Sequence, residues 1–330
     1  MFTDYEYRDV EPLCYDDNHV EKVKRAIKER FDEYFECFIE TEAGNGLSEI
    51  DFAKLRVKFE SRTGNKLAGA DKSTKFKRII IESIDEFEKD REAYEVIFDL
   101  ELLEEYRDDD DAETFKSKTL RNECPIIRKT LANKKAKELG RYRSAFSHID
   151  PYKLLDVVIN LCKFSEEYIG EYNSKEYELA KCYDDLKLSL LDTEEYTAYG
   201  VIGGGIKTMM LYKICPAVFP SRSRNALWAL WYLSGKSKFG CATDSEFLMI
   251  DRQKSITQQN YFYPYELFAY YAFVIYKMLQ SKAEKLKVNI DPDYKYVIVD
   301  AFLDYIAMEH DSEIAFLKTQ IKGDGGIEYA

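Results

Sequence analysis

Acidic residues are missing from one long window of an otherwise acidic chain. Between Glu195 and Asp244 there are none, while six cations fall there: Lys207, Lys213, Arg222, Arg224, Lys236 and Lys238. The 330 residues carry a formal net charge of -13, so the rest of the chain stands at -19. That acidity excludes nonspecific nucleic-acid binding over the whole surface, but not a local basic site. Histidine is scarce. His19, His148 and His310 are far apart in sequence, so no multi-histidine metal motif is visible, and neither a metal nor a cofactor is expected. The seven cysteines form no C-x-x-C pair and sit mostly among apolar residues, the pattern of small core residues in a reducing compartment.

Long apolar runs are also missing. The longest, near 226–233 and 267–276, fall far short of the roughly 20 residues that cross a bilayer. The first residues, MFTDYEYRDVEP, are acidic and lack the apolar stretch of a signal peptide. A cytoplasmic protein without membrane association is expected. There is neither an internal repeat of 20–50 residues nor an alternating βαβ pattern.

What is present is helical spacing. Val23, Ile27, Phe31, Phe35 and Phe38 mark a first helix with Asn18 as its cap, and a second is expected from Ser48. A long pattern from Thr74 reaches Leu100, and 114–137 reads as helical with a break at Pro125. Asp150-Pro151 and Asp291-Pro292 are cap-and-proline starts. Ser174 is expected to cap a helix through Leu191, and Ser223 one through Leu233 that is apolar nearly all round and therefore buried with Trp228 and Trp231. Residues 246–250 read as a lone strand, and 264–285 and 312–321 as helices. The fold class is all-α: a multi-helix bundle in two packed helical regions with at most a minor β ribbon. The regions expected are 1–107, an acidic linker at 108–117 around four consecutive aspartates, and 118–330.

Two stretches suggest chemistry. Gly200-x4-Gly205 followed by Ile206-Lys207-Thr208 is a phosphate-loop pattern interrupted by Ile206 and not preceded by a strand. Its weaker form is a helix N-terminus at which Lys207 and Thr208 help hold one anion. Arg222 and Arg224, interleaved with serines before the Trp helix, can fork onto phosphates. With Lys207, Lys213, Lys236 and Lys238 they make a candidate nucleic-acid or phosphate patch; the alternative is that these cations pair with the acidic remainder.

The second stretch is RYRSAFSH. Its Arg143-x4-His148 resembles the R-x4-6-H signature of HEPN ribonucleases, with Ser144 where those proteins often carry Asn. The resemblance implies a helical bundle over roughly 74–192 and metal-independent RNA cleavage, with paired motifs from two domains or subunits. His148 then moves the proton of a ribose 2'-hydroxyl, and Arg143 stabilises charge on the phosphate. Expected partners are RNA or DNA, or else a protein or a second copy. The competing function is a non-enzymatic helical interaction protein.

Overall fold

The computed structural model describes residues 12–40, 71–136, 139–242, 245–251 and 256–319. The expected helix from Ser48 and the tail beyond Thr319 lie outside the described residues. The described residues are mainly helical, with one two-stranded ribbon and irregular connections. In chain order the helices are α1 (Asp17–Glu40), α2 (Lys72–Glu88), α3 (Arg91–Ile97), α4 (Leu100–Asp108) and α5 (Ala112–Thr114), the last running into a π-helix at Phe115–Glu123. They continue as α6 (Pro125–Ala132), α7 (Gly140–His148), α8 (Pro151–Glu171), α9 (Ser174–Tyr177), α10 (Gly204–Ile214) and α11 (Arg224–Leu233). The antiparallel ribbon β1 (Leu248–Asp251) and β2 (Ile256–Gln259) pairs Leu248 with Gln259, and α12 (Tyr265–Lys285), α13 (Lys295–Glu309) and α14 (Asp311–Thr319) follow.

Local chemistry sets the ends. Asp150 accepts the Tyr152 amide at 3.0 Å and Ser223 the Ala226 amide at 3.0 Å, so α8 and α11 start where their caps stand. α1 is capped by Asp16 rather than Asn18, because the Asp16 carboxylate takes the Asn18 and His19 amides. The long pattern from Thr74 is divided at Asp90 and Asp99. Asp99 caps α4 by accepting from the Leu102 amide, so a new helix begins there. The helix expected from Ser174 to Leu191 stops at Tyr177 and gives way to short 3-10 turns. Asp185 takes the Lys181 and Cys182 amides, and Lys187 turns the chain at φ 54°.

One cluster of buried apolar side chains runs from Cys14 to Ile314. Phe31 and Phe38 of α1 both reach Phe302 of α13, at 5.3 Å between ring centroids in each case. The segment expected as an acidic linker is part of this packing. Asp108 closes α4, and Ala112 and Phe115 are fully buried, so the aspartates form the turn between two packed helices. The α11 helix lies at the centre. Leu227, Trp228, Leu230, Trp231 and Leu233 are buried, and the indoles meet edge to face at 5.7 Å. Among the described residues no helix is long and apolar enough to cross a membrane.

Candidate functional site

The six cations of the 200–240 stretch do not form one solvent-facing patch, because Lys207, Lys213 and Arg222 are buried. Lys213 donates to the Phe87 carbonyl and pairs with Asp90 at 2.7 Å. Lys236 pairs with Glu313 at 2.5 Å, while Arg224 and Lys238 are exposed. The acid-free window is long in sequence, but the charges of Lys207, Lys213, Arg222 and Lys236 are met by acids, carbonyls and a hydroxyl from other segments.

Lys207 and Arg222 instead belong to a buried polar centre at the start of α12. Lys207 Nζ donates to the Leu191 carbonyl and to Thr197 Oγ1 at 3.2 Å. Arg222 Nη1 and Nη2 donate to the carbonyls of Asn260 and Tyr261 at 3.3 and 3.0 Å. Thr208 Oγ1 donates to the Gly204 carbonyl and accepts the Arg222 amide, so its hydroxyl is committed within the fold. Asp192 accepts the Tyr265 amide at 2.8 Å and caps α12, whose preceding residue Pro264 has no capping group. Burial pushes Lys207 down to about 8, with Arg222 adding to the shift and Asp192 opposing it. Burial, then the Asp192 and Asp184 charges, push Glu266 up to about 7. Lys207 and Arg222 are thus two buried cations beside the Asp192 carboxylate, and the glycine-rich turn serves this packing.

Arg143 and His148 lie on α7, five residues apart and so roughly 140° apart around the helix. Arg143 donates to the carbonyls of Asn133 and Ala136 at 2.8 and 3.4 Å, tying down the loop between α6 and α7. His148 is exposed, with Nδ1 2.8 Å from the Ser144 carbonyl. A carbonyl only accepts, so Nδ1 carries the proton of the neutral ring and Nε2 keeps its lone pair. The surroundings are basic, which the acid-free window drew attention away from. Residues 115–149 hold ten Lys and Arg against Glu123 and Glu138, a formal +8. A running charge count would have found this segment. Lys118, Arg121, Lys134 and Lys135 are exposed and make no ion pair among the described residues. Lys116 is held inward by the Ser147 and Ile149 carbonyls, and Lys129 pairs with Asp90.

A third group joins distant parts of the chain. Cys14, His19 and Cys241 are buried, and two sulfurs and a ring nitrogen lie within 4.8 Å of one another. His19 Nε2 is 2.8 Å from Glu246 Oε2. Burial alone would lower the His19 pKa, but the Glu246 hydrogen bond and charge outweigh it and raise it. The bond to Cys241, then burial and Glu246, hold the Cys14 thiol protonated. No disulfide forms among the seven cysteines. Sequence spacing hid this group, because its halves are 227 residues apart.

No family model, curated protein or solved structure matches the chain.

Proposed function

We propose that the protein binds the phosphate backbone of a nucleic acid through the surface formed by residues 115–149. One observation carries this: a formal +8 on consecutive elements of an acidic chain, with its lysines and arginines largely exposed. Salt screens charges over about 8–10 Å at physiological strength, so a polyanion feels this surface locally while the acidic remainder repels it elsewhere. Affinity is therefore salt-dependent, oriented and weakly sequence-selective.

Cleavage of RNA extends the same proposal. The His148 lone pair on Nε2 faces solvent beside the basic surface, as a base toward a 2'-hydroxyl requires. Arg143 is occupied by carbonyls, so the stabilising charge on phosphate falls to a neighbouring cation or to a second copy. The test is binding of labelled single-stranded RNA and DNA, with RNA integrity followed in EDTA. Wild-type protein without affinity at low salt rejects nucleic acid as the ligand and leaves a protein-interaction role. Binding without cleavage restricts the function to binding.

A further inference from the structure

We infer that Cys14, His19 and Cys241 hold a zinc ion, with Glu246 orienting the histidine. The site is separate from the basic surface. The two sulfurs are 3.8 Å apart. Two thiolates bound to one zinc at about 2.3 Å with a tetrahedral angle stand about 3.8 Å apart, whereas a disulfide holds its sulfurs at about 2.0 Å. The cysteines therefore already stand at the separation that a shared zinc requires.

The histidine is equally specific. With Nε2–H donating to Glu246 at 2.8 Å, Nδ1 carries the lone pair, and Nδ1 is buried without a hydrogen-bond partner among the described residues. A buried imidazole nitrogen left bare is costly in a protein interior, and an ion removes that cost. A carboxylate on the far nitrogen of a metal-bound histidine is the usual orienting arrangement. Glu246 Oε1 is buried as well, without a hydrogen-bond partner among the described residues, and leaves the fourth position of the ion to water.

Loading converts two thiols to thiolates and releases two protons to solvent. Zn2+ with two thiolates and a neutral imidazole is then electrically neutral, and Glu246 keeps its charge against the His19 N–H. Sulfur and imidazole donors select zinc over magnesium or calcium. The residues come from the turn before α1 (Cys14), the first turn of α1 (His19) and the loop between α11 and β1 (Cys241), so the ion clips the start of the first helix to the central Trp helix. Because the group is buried, the site is a structural staple.

Metal analysis of full-length protein, purified with reductant and passed through gel filtration after zinc loading, tests this. About one zinc per chain is expected, with cobalt(II) substitution giving thiolate charge-transfer bands of a tetrahedral site. Chelation of the wild type should lower the thermal midpoint by more than about 5 °C, restored by zinc and not by magnesium. Cys14→Ala and Cys241→Ala should each lose the metal and the cobalt bands. Wild-type protein that retains no zinc overturns the inference, as does zinc binding that survives in Cys241→Ala. If neither variant folds, the wild-type chelation and cobalt measurements decide alone.

Discussion

Arg222 lies where a side chain at Gly204 would have to go: a Cβ there would stand 1.3 Å from the arginine Nη2. The glycine lets the guanidinium rest against the first turn of α10 while it reaches the Asn260 and Tyr261 carbonyls. Gly204→Ala should therefore pull Arg222 off its acceptors and lower stability by about 2 kcal/mol. Arg222→Gln should cost about 3 kcal/mol, since Asp192 loses a compensating charge and the Asn260 and Tyr261 carbonyls lose the guanidinium. Urea unfolding reads both values. Unchanged midpoints would show that Arg222 faces solvent.

Glu266 should make stability depend on pH. Its carboxyl titrates at about 7 in the folded protein against 4.5 ordinarily, so the folded state holds an extra proton between those values. The contribution is fully present below about 4.5 and is lost as pH rises through about 7, at most about 3 kcal/mol. Glu266→Gln should raise the melting temperature at pH 8 and leave it nearly unchanged at pH 4.5. Equal shifts at both values would mean that the carboxyl titrates normally.

Lys207 works in the opposite sense. Its folded pKa of about 8 lies below the ordinary 10.5, so its ammonium destabilises the fold below pH 8. That penalty fades as pH rises from about 8 to 10.5. Replacement by Met should flatten this alkaline limb in a denaturation series. A limb of unchanged slope would rule out Lys207 as its source.

The Trp helix should be among the most sensitive parts of the molecule. Trp231→Ala removes a side chain only 7% exposed, packed on Trp228 and Tyr232, and should cost about 3–5 kcal/mol. Thermal melts of the purified variant check this, and an unchanged midpoint would place α11 at the surface.

For the basic surface, the combined change of Lys118, Arg121, Lys134 and Lys135 to Gln should weaken single-stranded RNA binding. The slope of log affinity against log salt should fall by about 0.7 for each phosphate that is no longer neutralised. The melting temperature should move little, because these side chains are exposed and unpaired among the described residues. The same quadruple change applied without loss of affinity would move the binding site elsewhere. His148→Ala should leave affinity in place and stop any cleavage of RNA that the wild type shows in EDTA.

Helices were legible where apolar spacing and a cap agreed, as at Asp150 and Ser223. The sequence pattern failed where side chains redirected the backbone. Asp185 gathers two amides and breaks the run after Tyr177, and Asp99 restarts a helix inside a continuous apolar pattern. The candidate sites were less legible still. A window without acids reads as a basic patch only while its partners are unknown, and Asp90, Asp192 and Glu313 come from three other segments. Cys14 and Cys241 carry no sign of each other in the chain, whereas the charge of residues 115–149 was there to be counted.

The pairing of α1 with α13 sets an order of events during synthesis. Phe31 and Phe38 find Phe302 only after some 260 to 270 further residues have been added, which takes roughly 15–50 s at ordinary translation rates. Until then Phe35 can pack on Phe76 of α2, while the part of the apolar face that meets α13 lacks that cover. A nascent chain of this kind stays dependent on holding factors until its last third emerges. Truncations that remove α13 should accumulate as insoluble protein rather than as a smaller folded unit.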